Sequence, residues 1–332
     1  MSEDRTAPAV STAAPVSAPH VGRGPLLVVV AAVCWGTGGL AGDVLGDVSG
    51  LSPVAVGAYR LLVAAVVLLV LQTLGGGPGR LRAVVATLVR RPGDLWRVVG
   101  VGTGLAVFQL CYFLAVRAVG VSVATMLTLG LAPVLVTLGG ALLLREPVTA
   151  RLRLVLPVAV VGLVLLVGAG GGAVGGDGRT LVGALLAGTS ATGYAAVTLL
   201  GRSLAARVPS ESVTAIGFVV AALLALPAGL AAGMTAAPEP ATVGLVLYLG
   251  VVPTALAYAL FFAGLRGTAS GAASVLTLAE PLTATVLSVL LLDERLGPWQ
   301  WAGAALLAVG VMLLSLRPTG GLRPTGRLRS GR

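Results

Sequence analysis

The chain has 332 residues, of which 57% are apolar and only 10% are charged. Soluble domains carry about 25% charged residues, so too few polar side chains are present to cover a water-exposed surface, and lipid is the solvent this composition fits. The formal net charge of +10 comes from arginine alone, since lysine is absent; the arginines lie in short loops and the tail rather than on a basic face interleaved with aromatics, which argues against nucleic acid as a partner.

Residues 1–23 are rich in Ala, Pro, Ser and Thr without periodicity and are expected to form a disordered cytoplasmic tail. They hold no Arg-flanked apolar core with a cleavage site, so the first helix is expected to remain as an anchor. Apolar runs then follow near 25–42, 53–73, 96–116, 121–144, 152–170, 180–200, 213–233, 241–264, 269–292 and 299–316. Each is about long enough to cross ~30 Å of hydrocarbon as a helix. Turn signals separate them: GGGPGR at 75–80, GAGGGAVGGDG at 168–178 and AAPEP at 236–240. Residues 317–332 are short, basic and Pro/Gly-rich, and are expected to be a cytoplasmic tail. The predicted fold class is an all-α membrane protein of ten transmembrane helices.

Arginine placement tests the count. With the N-terminus in the cytoplasm, eighteen of the 22 arginines fall in cytoplasmic segments, and only Arg117, Arg179 and Arg295 fall outside. Arg60 alone lies within a helix. This is a positive-inside bias, and it predicts both termini in the cytoplasm.

The segment 113–166 reappears at 261–314. Ser122 matches Ser270, Pro133 matches Pro281, Glu146 matches Glu294 and Gly162 matches Gly310, all at an offset of 148. The expected units are 24–170 and 180–316, five helices each. Five is odd, so the second copy enters the membrane from the opposite side. Inverted repeats of this kind build many secondary transporters, because two similar halves of opposite orientation can exchange conformations around a central site.

Five stretches carry a family likeness: CWG at 34–36, AYRLLVAA at 58–65, YFLAVRAVGVSVATMLTLGLAPVLVTLGGALLLREPVT at 112–149, PTALAYALFFAGLR at 253–266 and EPLTATVLSVLLLDERL at 280–296. In this order and spacing, over residues 25–316, the chain resembles the EamA-type ten-helix exporters of the drug/metabolite transporter superfamily. The resemblance implies two EamA-like repeats and export of small metabolites. One position departs from it: Tyr194, aligned with Trp35 at an offset of 159, stands where the second repeat of that family usually has Trp.

Glu280 is the only carboxylate deep in a predicted helix. Holding it ionised there costs about 2.5–3.5 kcal/mol, and burial favours its neutral form. Either it exchanges a proton or binds a substrate amine during a cycle, or it satisfies a backbone carbonyl freed by Pro281. Pro133 and Pro281 sit midway along matching helices, where paired interruptions point to a transporter's binding site; a simple kink is the other reading. Arg60 suits a substrate carboxylate, a snorkelling interfacial position or an internal structural pair. Trp35, Gln109, Tyr112, Thr128, Ser190, Tyr194, Thr254, Tyr258 and Thr277 supply hydrogen-bonding points on apolar helices, as a cavity for a small amphipathic metabolite requires; for any one of them helix–helix packing is the other reading. Trp35, Tyr258 and Glu280 lead this set. Glu146, Asp293 and Glu294 read as caps and loop ion pairs at helix ends.

The expected function is a secondary transporter, an exporter of small metabolites such as amino acids, working by alternating access around a midplane cavity. Without lysine no Walker-type phosphate loop can form. Cys34 and Cys111 lack CxxC partners and the single histidine, His20, is in the tail, so no metal site or cofactor is expected. An enzyme is not expected, though an intramembrane enzyme and a passive channel or scaffold stay as alternatives. The expected partners are a small-molecule substrate, the lipid bilayer and protons, with a homodimer left open. The Arg, Ala, Gly and Val usage fits a GC-rich genome and hence a bacterial plasma membrane.

Overall fold

A computed structural model describes residues 23–168, 178–235, 239–291 and 295–315. Both expected tails (beyond Arg23), the Gly-rich separator at 169–177, and Asp293 and Glu294 lie outside the described residues. Among the described residues there is no strand, and ten helices are long and apolar enough to cross a membrane. They are α1 (Gly24–Ser49), α2 (Pro53–Arg90), α3 (Pro92–Val119), α4 (Val121–Leu143), α5 (Ala150–Gly168), α6 (Gly178–Leu204), α7 (Ser210–Ala231), α8 (Pro240–Leu265), α9 (Ser270–Leu291) and α10 (Pro298–Ser315). Helix is the form that pairs every backbone N–H and C=O where no water is available.

The boundaries follow local chemistry. Pro53, Pro92, Pro240 and Pro298 open their helices, where the missing N–H forfeits no bond. Ser52 caps α2 by accepting from the Ala55 N–H at 3.3 Å. Gly50 ends α1 with φ of 67°, a conformation that suits glycine.

Several helices are longer than the sequence expectation, and two run well past their expected C-terminal ends. The GGGPGR stretch at 75–80 was expected to be a turn, yet α2 continues through it for 38 residues in all. Its apolar span ends at Gly75, but the residues beyond include Leu, Arg and Ala, which favour helix, and Leu88 is buried in the core. α1 likewise extends beyond 42 to Ser49 and carries Asp43 and Asp47, both exposed, on its last turns.

The helices pack in a paired pattern. α3 lies against α6 and α7, and α8 lies against α1 and α2; α4 contacts α6 and α9 contacts α1; α2 meets α7, α4 meets α9 and α5 meets α10. Exchanging each helix for its counterpart five positions along leaves this set unchanged. Small residues permit the closest crossings. At α3–α6, a Cβ on Gly193 would sit 2.8 Å from the Phe108 backbone N, and one on Gly104 would sit 2.9 Å from the Gly193 carbonyl.

Contacts between helix ends define two faces. Arg202 and Arg207 at the end of α6 reach Glu146 after α4 and Asp94 at the start of α3. At the opposite face Ser52 donates to the Ala232 carbonyl at 3.2 Å and the Tyr59 hydroxyl to that of Met234 at 3.0 Å. Arg90, Arg97, Arg145, Arg153 and Arg266 join the first face, whereas Arg117, Arg179 and Arg295 are on the second.

Candidate functional site

Two helices lose their regular backbone near the middle. In α8, residues Val251–Leu256 form a π-helical turn. Pro253 lacks the N–H that would bond the Leu249 carbonyl, and the Thr254 hydroxyl takes that carbonyl at 2.6 Å. In α9, helix Ser270–Leu276 stops at a turn over 277–278 and restarts as Ala279–Leu291. Pro281 then falls in the first turn of the restarted segment, where its missing N–H is tolerated. Glu280 stands beside it, at the positive end of that segment's dipole, which favours a carboxylate.

Arg60 of α2 turns inward rather than toward an interface. Its Nε donates to Thr254 Oγ1 at 3.3 Å, and its Nη2 lies 3.8 Å from where a Cβ on Gly38 would be. Arg60 and Glu280 make no ion-pair contact among the described residues. Both side chains are partly accessible. Gly36 brings α1 against the break in α9: a Cβ there would lie 2.7 Å from the Glu280 carbonyl.

Aromatic rings wall this centre. Trp35 meets Tyr258 edge-on at 4.8 Å and Phe261 at 5.3 Å, and Tyr258 meets Phe218 at 5.1 Å. Tyr194 donates to Thr277 Oγ1 at 3.1 Å and packs on Phe108 at 5.6 Å. Among the described residues the buried Trp35 indole N–H has no hydrogen-bond partner, a state that costs about 1–3 kcal/mol.

The remaining sequence candidates divide by what they touch. Gln109 rests its amide against Gly57, 3.2 Å from a Cβ position there. Tyr112 shares a 2.8 Å hydrogen bond with Thr125. Thr128 donates to the Ala187 carbonyl at 3.3 Å and Ser190 to that of Phe108 at 2.8 Å, so both hydroxyls join α6 to a neighbouring helix. Pro133 is buried inside α4, which runs on without a break. Sequence reasoning passed over Pro253, Phe108, Phe218 and Phe261; the Pro-Thr pair at 253–254 inside an apolar run was the available signal for the first.

One end of the centre is sealed. Glu146 accepts from Arg202 Nε at 2.8 Å, from the Ser270 N–H at 2.8 Å and from the Ser270 hydroxyl at 2.6 Å. Arg202 also donates to the Leu265 carbonyl at 3.0 Å. This cluster ties the ends of α4, α6 and α8 to the start of α9, so the ion pair expected of Glu146 at a helix end is made across helices rather than within a loop. Every residue from Ser270 to Ala279 is buried, whereas Pro281 is the one buried residue of the stretch 280–291. α9 is therefore enclosed by other helices toward the arginine-rich face and less covered toward the other.

Fold and centre together define a multi-pass membrane protein with ten candidate spans enclosing polar groups. The chain belongs to the EamA-like transporter family, which matches residues 22–168 and again 181–316. It is 32% identical to the uncharacterised transporter YwfM of Bacillus subtilis, over 88% of this chain and 94% of that protein. It is 26% identical to the uncharacterised inner membrane transporter YicL of Salmonella typhimurium, over 89% of this chain and 95% of that one. A solved crystal structure 24% identical in sequence shares the fold with a TM-score of 0.74, covering 88% of this chain and 96% of its own.

Proposed function

We propose that the protein is a secondary transporter that exports small metabolites, amino acids among them, across a bacterial plasma membrane. The observation that carries this reading is the polar centre of Arg60, Thr254 and Glu280 at two irregular helix segments. Irregular backbone at membrane depth is tolerated where it is buried in protein or lines a cavity. Arg60 gives one N–H to Thr254 and keeps others for a carboxylate. Glu280 suits an ammonium group or a transferable proton. Trp35 offers its free N–H to a substrate acceptor, and the aromatic rings suit an apolar body.

The cycle is alternating access. Two five-helix repeats of opposite orientation account for the paired packing, and exchange of their conformations moves the opening from one face to the other. In the form described here the Glu146–Arg202–Ser270 cluster closes the arginine-rich face. That face is the cytoplasmic one under the positive-inside rule, with both termini on it, so the cluster acts as the cytoplasmic gate of the cycle.

The test is efflux from liposomes preloaded with labelled amino acids and related metabolites, with and without a pH gradient, for wild type and Glu280→Gln. The expected result is saturable wild-type efflux, with the gradient-driven part falling at least ~10-fold in the variant, the effect of about 1.4 kcal/mol. Equal behaviour of the two would make Glu280 structural and remove proton coupling. Folded protein that moves no solute would overturn the transporter reading.

A further inference from the structure

The arginine-rich face holds a groove that the central site does not use. Beyond Gly75, where the apolar span ends, α2 continues to Arg90, a rise of about 22 Å. Ala83, Val84, Thr87 and Leu88 on this continuation line a cavity of about 260 Å³, completed by Arg207, Val208 and Pro209 after α6. The walls are apolar, and the Thr87 hydroxyl is already engaged with the Ala83 carbonyl at 2.8 Å. Sites for whole small molecules run about 300–1,000 Å³, so this one is sized for part of a longer molecule.

The rim is positive. Arg207 and Arg97 both donate to a single oxygen, Asp94 Oδ1, at 3.2 and 2.9 Å. Two cations share one carboxylate, and Arg82, Arg90 and Arg91 stand exposed nearby in sequence. Val85, Val89 and Trp96 are exposed on the same segments, Trp96 at 70%. Arginine beside exposed aliphatic and indole groups just past a membrane span is the pattern of a segment lying in the headgroup layer.

We propose that this groove binds an anionic phospholipid, with the phosphate at Arg207 and the neighbouring arginines and the first methylenes of an acyl chain in the apolar cavity. Charge complementarity selects the occupant. A zwitterionic headgroup brings its own cation to a rim already positive, and a net-negative one does not. Residues 317–332 hold five arginines and no Asp or Glu, so they match the rim in sign and do not complement it.

The test is binding of fluorescent phosphatidylglycerol to the full-length protein in neutral detergent micelles, read by anisotropy and by the thermal midpoint. Unlabelled phosphatidylglycerol, phosphatidylcholine and glycerol phosphate serve as competitors. Phosphatidylglycerol alone is expected to bind and raise the midpoint, more weakly as salt rises. Each arginine near the surface contributes about 5-fold in affinity. Arg207→Gln is expected to lose that much, and the double variant Arg90→Gln/Arg91→Gln, which breaks no ion pair among the described residues, about 25-fold. Arg151→Gln, on α5 away from the groove, is expected to bind like wild type. Equal competition by phosphatidylcholine, full competition by glycerol phosphate, or an Arg151→Gln loss as large as that of Arg207→Gln would overturn the proposal.

Discussion

The two halves of the molecule occupy corresponding places but differ where the backbone meets the centre. α4 carries Pro133 and is continuous, whereas its counterpart α9 carries Pro281 and is broken. α3 is regular, whereas its counterpart α8 holds a π-helical turn. The proline alone does not decide this. In α9, Ser274 and Thr277 donate to carbonyls of their own helix at 2.9 and 2.8 Å, and in α8 Thr254 does the same. At the offset of 148 the first half has Met126, Leu129 and Ala106, which have no hydroxyl. Local hydroxyls satisfy the carbonyls that a break would leave bare. The second half therefore shapes the irregular wall, and the first half contributes Trp35 and Arg60 from continuous helices.

The largest expected effect comes from the α1–α9 crossing. A Cβ on Gly36 would lie 2.6 Å from Thr283 Cβ and 2.7 Å from the Glu280 carbonyl. Gly36→Ala is expected to destabilise by about 1–3 kcal/mol through overpacking and to cut efflux sharply. The matching position in α6 is Ala195, which already has a Cβ and is buried; Ala195→Gly is expected to cost about 1 kcal/mol through helix propensity and leave efflux near normal. Thermal midpoints and efflux of the two variants decide it, and equal effects on efflux would erase the distinction between the halves.

A smaller effect is expected at the sealed end. Glu146→Gln removes the charge that holds Arg202 and weakens the tie to Ser270. Ser274→Cys, placed in the buried half of α9 in a variant with Cys34 and Cys111 replaced by alanine, reports the opening. Labelling by a membrane-impermeant thiol reagent from the arginine-rich face is expected to rise about 10-fold with Glu146→Gln, the population change made by about 1.4 kcal/mol. Unchanged labelling would mean that apolar packing alone closes this face.

The smallest effect concerns Thr254. Thr254→Val leaves the Leu249 carbonyl and the Arg60 Nε without this partner and is expected to cost about 1 kcal/mol, lowering the thermal midpoint by roughly 2–4 °C. Thr254→Ser keeps the hydroxyl and is expected to restore most of that. A valine variant as stable as wild type would show that the π-helical turn does not depend on the hydroxyl.

Much of this protein was determined by sequence alone. Apolar run length against bilayer thickness yields ten spans, and proline, glycine and serine mark where several of them start and stop. Arginine placement foretells the contrast between faces, and Glu280, Trp35, Tyr258, Tyr194 and Thr277 were legible as polar or aromatic groups on apolar helices. Other features depend on partners distant in the chain. The GGGPGR stretch reads as a turn by local propensity, but the burial of Leu88 against the core favours continuing the helix. Glu146 reads as a cap or a loop ion pair, and only the fold brings Arg202 and Ser270 to it from α6 and α9. Thr128 and Ser190 are legible as groups for either a cavity or helix packing, and the carbonyls they find across a helix interface give both the packing role. Local pattern sets which segments enter the bilayer, because hydrocarbon acts on each segment separately. Which polar group meets which is decided by packing, because inside the bilayer an unpaired group has only other protein groups to turn to.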